Sequence, residues 1–224
     1  CSATDELQVN VFEIPIADAG QNISICNGGT AILYASNGEN YEWSTTENTQ
    51  FISVTPVADT TVYKVTVSNS IGCSSLDSVS VFLSDTLLPY AGVDTAVCLG
   101  DSVMLFATGG IQFLWDHTDV MDDSTIANPD VAPAITTTFK VTVSDGVCLG
   151  VDEVTVVVRD LPLVAASPDQ QVCEGDSIML MSFGAKSYLW NTSDTASMIY
   201  VTPDVTTTYI VAGVDEFGCA NVDS

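Results

Sequence analysis

Seven cysteines, one histidine and 29 acidic side chains are the residues of this chain that could do chemistry. Cysteines serve as zinc ligands, nucleophiles or disulfide halves. Zinc sites want close pairs such as C-x-x-C, and the sequence has none. His117 is the only histidine, so a Ser-His-Asp triad, a Cys-His pair or a multi-histidine metal centre cannot be assembled. The cysteines therefore read as disulfides. Spacings of 46 to 50 residues pair Cys26 with Cys73, Cys98 with Cys148 and Cys173 with Cys219, leaving Cys1 over. Closing a loop of that length is worth about 4 kcal/mol in the chain-entropy model. Modules of about 70 residues bury too little surface to be comfortable without such staples. An oxidising, extracytoplasmic location follows.

The acids suggest one ligand, calcium, through oxygen donors near the joints between repeats. Asp85 falls with Asp94, Asp160 with Asp169 and Glu13 with Asp18, while Asp116, Asp119, Asp122 and Asp123 form a second group. No EF-hand spacing occurs, and solvated acids in turns are the competing account. Four basic residues (Lys64, Lys140, Arg159, Lys186) leave a formal net charge of -25. Nucleic acid and anionic membrane surfaces would be repelled, because both need a cationic footprint. Yet 46% of the residues are apolar, enough for a core, and no 18-residue apolar run spans a membrane.

The elements that position these residues recur three times. Cys26, Trp43 and Cys73 return as Cys98, Trp115 and Cys148, then as Cys173, Trp190 and Cys219, with the tryptophan always 17 positions after the first cysteine. A period of 71 to 75 residues with apolar residues throughout means tandem small domains rather than a thin solenoid. Period-two alternation predicts strands at Ala31-Leu33, Val103-Leu105 and Ile178-Leu180. Tyr41-Glu-Trp43, Phe113-Leu-Trp115 and Tyr188-Leu-Trp190 place two aromatics on one face. Threonine-rich entries then lead to strands such as Tyr63-Lys-Val65-Thr-Val67. Thr, Val and Tyr enrichment without helical period predicts an all-β chain of compact antiparallel sandwiches. The tryptophans should plug the cores; a carbohydrate-stacking role is the alternative. Such small sandwiches leave no groove for paired glycosidase carboxylates. The first cysteine precedes the turn into its strand, so its bridge should tie the first strand to the hairpin before the closing strand.

The segment Cys1 to Val11 aligns without a gap on Cys73 to Leu83 and on Cys148 to Val158. Leu7, Val9 and Val11 then match Val79, Val81 and Leu83. The predicted organisation is a closing strand of an upstream repeat at 1–16, repeats at 17–87 and 88–162, and a third repeat at 163–224 lacking its closing strand. A window from a longer array explains both ends, with Cys1 paired outside it. Lipidation of Cys1 is one alternative. The other is a polymer in which this strand completes the third repeat of the next molecule.

Ala-Gly-x-Asp-x-x-x-Cys-x-Gly-Asp-Ser at Ala91 to Ser102, an aromatic-x-Trp, Pro-x-x-Thr-Thr-Thr-Tyr at Pro203 to Tyr209, and Gly-Cys before the last strand form a recurring signature. It resembles the PKD-like and immunoglobulin-like repeats of giant secreted cell-surface proteins of Bacteroidota, including SprB-like gliding-motility adhesins exported by type IX secretion. Copy one departs most, with Asn22 and Gly29 where the others have aspartates. The resemblance implies tandem immunoglobulin-like modules on an extracellular bacterial surface, acting as stalk and in adhesion, with no catalysis and no cofactor. Its partners would be neighbouring repeats and a surface, glycan or protein target. It also implies O-glycosylation at Asp-Ser/Thr-aliphatic tripeptides, here Ser78, Thr86, Thr95, Ser102, Ser177 and Thr195. The alternative is an accessory array attached to a secreted hydrolase. Short proline-bearing joints and like charges predict an elongated rod.

Overall fold

The computed structural model describes residues 5–224, and every reading attached to Cys1 lies outside the described residues. Apart from one 3-10 turn at Thr118–Val120, the regular structure is strand. Repeat 1 holds β1 (Ile23–Cys26), β2 (Ala31–Tyr34), β3 (Asn40–Trp43), β4 (Phe51–Val54), β5 (Thr60–Ser68) and β6 (Ser74–Ser84). Repeat 2 holds β7 (Thr95–Cys98), β8 (Val103–Met104), β9 (Gln112–Trp115), β10 (Asp130–Val131), β11 (Thr137–Ser144) and β12 (Leu149–Arg159). In repeat 3 are β13 (Ala165–Ala166), β14 (Ile178–Phe183), β15 (Ser187–Trp190), β16 (Met198–Val201), β17 (Val211–Val214) and β18 (Ala220–Asp223).

One sheet of repeat 1 runs β1-β6-β5-β3, and β2-β4 faces it. Repeat 2 copies this as β7-β12-β11-β9 against β8-β10. The first strand lies parallel to the closing strand in both (Ile23 beside Val81, Thr95 beside Val156), whereas β3, β5 and β6 are antiparallel. This is an all-β, tandem immunoglobulin-like sandwich architecture. In β5, Tyr63, Val65 and Val67 turn inward while Lys64 faces out, which is the alternation legible in the sequence. Trp43, Trp115 and Trp190 are all buried, so they are core plugs and not an exposed carbohydrate platform.

The described residues gather into two compact units that do not coincide with the three repeats. The first reaches Leu88 and takes in Gly109–Gln112 and Val143–Gly150 from the second repeat. The second comprises Pro89–Thr108, Phe113–Thr142 and Val151–Ser224.

The expected pairing of cysteines within each repeat is overturned. The bridges are Cys26–Cys148 and Cys98–Cys219, with Cα atoms 5.4 and 5.6 Å apart, and Cys73 and Cys173 are free. Strand direction explains it. Because β1 is parallel to β6, Cys26 sits opposite Ser84, at the far end of the closing strand from Cys73. Eleven residue steps of about 3.3 Å separate Cys73 from Ser84 and put the two cysteines roughly 36 Å apart along β6. No disulfide spans that. The first cysteine of one repeat instead reaches the second cysteine of the next.

Residues 5–16 form no strand, and Leu7 and Val11 are each 91% exposed. Their alternation is that of a strand without a sheet.

Candidate functional site

Each second cysteine is held in a turn built by the side chain four or three positions before it. Asn69 Oδ1 accepts the N–H groups of Ile71 (3.1 Å) and Cys73 (2.9 Å). Asp145 Oδ1 accepts those of Val147 (2.8 Å) and Cys148 (2.6 Å), and Asp215 Oδ1 those of Phe217 (2.8 Å) and Cys219 (2.9 Å). These Asx turns present an apolar tip and a cysteine together. The two backbone N–H donors hold the Asp145 carboxyl below the ordinary carboxylate range.

The partner of each turn is the end of a closing strand lying beside a first cysteine. At one junction Cys26 neighbours Ser84, whose hydroxyl donates to Asp145 Oδ2 at 3.4 Å. At the other, Cys98 neighbours Arg159, whose guanidinium stacks 3.7 Å above the Phe217 ring. Each disulfide is thus flanked by a second, noncovalent contact between successive repeats.

A further aspartate organises the start of every repeat. Asp77 Oδ2 accepts the Ala19 N–H, Asp152 Oδ2 the Ala91 N–H and Asp223 Oδ2 the Ala166 N–H, all at 2.8 Å. Sequence reasoning missed this trio, although an aspartate follows each second cysteine by four positions. Asn22 and Asp94 occupy another matched position, taking the N–H of Ser80 (2.9 Å) and Thr155 (2.8 Å) from the closing strand.

That last bond gives Asp94 a structural task besides the calcium role expected of it with Asp85, Asp160 and Asp169. Among the described residues, no three His, Cys, Asp or Glu side chains converge in a way that could hold a metal. Three of the four acids of the 116–123 loop, Asp116, Asp122 and Asp123, accept backbone N–H groups. Asp116 Oδ1 accepts the Lys140 N–H and lies 2.9 Å from His117 Nδ1, Asp122 Oδ1 takes the N–H groups of Asp123 and Asp130, and Asp123 Oδ1 caps Thr125. Asp116 raises the His117 pKa above its ordinary value, and the imidazole packs edge-on against Phe139. The Thr125 donors hold Asp123 low.

Of the glycosylation candidates, Ser78, Thr86, Ser102, Ser177 and Thr195 are exposed and Thr95 is half-buried. Two of these hydroxyls are engaged: Ser102 donates to Asp130, and Ser177 bonds Thr202 at 2.7 Å.

Repeat 3 differs from the others. Its closing strand is only Ala220–Asp223, against eleven residues in β6 and β12. Residues 170–173 and 204–210, the counterparts of β1 and the first half of β5, form no ladder. Between them opens a groove of about 860 Å³ lined by Gln170, Val172, Ile178, Leu180, Trp190 and Tyr209.

No helix among the described residues is long and apolar enough to cross a membrane. No known family profile matches the chain, and no curated protein sequence does. Among solved structures, the titin I-band fragment I67–I69 aligns at a TM-score of 0.40 and 11% identity, covering 95% of this chain and 97% of the fragment. Sidekick-1 immunoglobulin domains 1–5 align at 0.37 and 13%, covering 94% of this chain and 57% of theirs. The N-terminal four immunoglobulin domains of Dscam1 isoform 1.9 align at 0.28 and 13%, covering 95% and 72%. With scores this low, the fold rests on the strand order and burial described above.

Proposed function

We propose that this chain is a load-bearing spacer, a non-catalytic repeat segment of a large secreted surface adhesin or fibre that holds an adhesive or motility function away from a bacterial cell. One observation carries the reading: both disulfides cross from one repeat to the next, and their loops overlap. With them closed, the shortest covalent path from Cys26 to Cys219 runs through the 50 residues between Cys98 and Cys148 instead of 193. Fully stretched, that is roughly 170 Å rather than roughly 650 Å. Crosslinks placed this way limit extension without any gain in core size. The charge of -25 supports the same role by opposing collapse and non-specific association.

Pulling single molecules by Cys26-proximal and Cys219-proximal handles tests this. The oxidised chain should stop lengthening near a quarter of the extension reached after reduction. Equal extension in both states would remove the load-bearing role. Small-angle scattering tests the expected elongated form, and calcium titration during that measurement tests whether the joint acids bind it.

A further inference from the structure

We propose that the outer face of β14 and β16 in repeat 3 binds a soft monovalent metal ion, Cu(I), through the thioethers of Met179, Met181 and Met198. The inference concerns this face alone and goes beyond the spacer reading, which stands or falls separately.

Strand alternation and register assemble the donors. Ile178 and Leu180 on β14, with Ile199 and Val201 on β16, turn inward to pack around Trp190. The alternate positions, Met179, Met181, Met198 and Tyr200, therefore project from the opposite face. The two strands are antiparallel, with Met181 directly opposite Met198 and Met179 directly opposite Tyr200. Directly opposed Cα atoms lie about 4.5–5.5 Å apart, next-but-one residues of a strand about 6.6 Å and diagonal neighbours about 7–8 Å. Each sulfur sits near the end of a side chain with three rotatable bonds, so rotamer changes alone bring three of them onto one ion.

Composition gives an independent indication. The chain has five methionines, and three of them stand here. The matching positions of repeat 1 hold Ile32, Tyr34 and Phe51, the β-branched and aromatic types that strand faces favour. Sheet formation does not call for methionine there, and its usual task is filling irregular gaps in a core. Exposure differs as well. Ile32 and Tyr34 are 69% and 54% exposed, and Met104 and Phe106 of repeat 2 are 67% and 50%, whereas Met179 and Met181 are half-buried. Two of the three thioethers thus lie where the outer face is already partly shielded from water.

The donor set decides the ion. A thioether is neutral, polarizable and soft, which favours Cu(I) and disfavours calcium or magnesium, whose ligands are oxygen. This site is of a different kind from a His, Cys, Asp or Glu centre, which the described residues do not form. In an oxidising location thiols are consumed as disulfides, while thioethers form none and remain free to bind. The net charge of -25 raises the local concentration of any cation. Phe183 and Tyr200, exposed on the same face, flank the sulfurs with rings whose π-faces attract positive charge.

The test is an anaerobic titration of the whole chain with Cu(I), delivered as its acetonitrile complex, after the free thiols are blocked with N-ethylmaleimide. Methionine labelled with carbon-13 at its methyl group gives one resonance per residue. The Met179, Met181 and Met198 methyls should shift together and saturate at a single equivalent, while Met104 and Met121 stay in place. Zn(II) and Ca(II) should move none of them. Met181→Leu and Met198→Leu keep size and apolarity on a face outside the core. Each should weaken binding roughly tenfold or more, as even loss of a group supporting a ligand commonly does. Met104→Leu should leave the affinity unchanged. A thioether carries no proton to displace, so the affinity should be the same at pH 5 and pH 7, unlike that of an imidazole or amine site. No methyl shift in excess Cu(I), equal shifts of all the methionines, the same shifts with Zn(II), or full affinity in both leucine variants would each overturn the proposal.

Discussion

Repeats 1 and 3 share a signature and differ in one strand, and the comparison shows what that strand does. In repeat 1, β6 lies between β1 and β5, and Val79 and Val81 complete the core around Trp43. In repeat 3, β18 stops at Asp223, which still anchors the Ala166 N–H. The hairpin end of the module is therefore intact while the end that would carry Cys173 is open. Trp190 nevertheless stays buried, held by its Nε1–H donating to the Ala196 carbonyl at 2.9 Å, as Trp43 donates to Thr49. The tryptophan and its loop make the nucleus of the module; the closing strand makes its second edge and its link to the next repeat.

The largest effect should come from the link. Cys148→Ser opens a loop with a sequence separation of 122 residues, worth about 5 kcal/mol in the chain-entropy model. Denaturant unfolding monitored by tryptophan fluorescence should show the loss, and the Cys98–Cys219 bridge should persist in peptide maps. Rearrangement to Cys26–Cys73 in that variant would contradict the parallel first strand. Next, Trp43→Ala should cost about 3–5 kcal/mol in the closed repeat. Trp190→Ala should cost less, because its surroundings already reach solvent through the groove. Equal costs would mean that repeat 3 is closed in solution.

A smaller effect belongs to the aspartate trio. Asp77→Ala leaves the Ala19 N–H without its acceptor and should cost roughly 1–3 kcal/mol. Hydrogen exchange should localise the change to the Ala19 amide and its neighbours in repeat 1. Fast exchange of that amide in the unaltered protein would argue against the bond.

The sequence disclosed whatever repeats locally. Alternation marked β2, β3 and β5, and the constant Cys–Trp spacing marked the core plug, because strand period and a buried indole are properties of a few consecutive residues. Cysteine pairing was illegible for the opposite reason. It depends on β1 running parallel to β6, a nonlocal choice that carries Cys26 to the far end of the closing strand. Spacing within a repeat gave Cys26–Cys73; spacing across repeats, 122 and 121 residues, is equally regular, and only the strand direction decides. Asp77, Asp152 and Asp223 were readable as a column in the alignment of second cysteines. No local pattern marks their task, because the N–H donors they accept from, on the alanines that open each repeat, lie 57 or more residues away.

The smallest effect distinguishes two turns that are otherwise alike. Asn69 and Asp145 cap the same two N–H groups, but only Asp145 titrates. Its carboxyl is held low first by the Cys148 N–H and then by that of Val147. A depressed folded pKa means a contribution that is fully present above the unfolded value near 3.9 and lost as pH falls through the folded one. Asp145→Asn keeps the acceptor oxygen and removes the charge, giving the second turn the uncharged cap of the first. Thermal midpoints of the parent and Asp145→Asn should therefore differ at pH 5 to 7, with the parent higher, and converge as pH drops below the ordinary carboxylate range. His117 acts in the reverse sense, its raised pKa adding stability at low pH that fades as pH rises through it, so it cannot mimic the convergence. A constant gap between the two proteins from pH 7 down to pH 2.5 would show that the charge of Asp145 plays no part in holding Cys148 for its bridge.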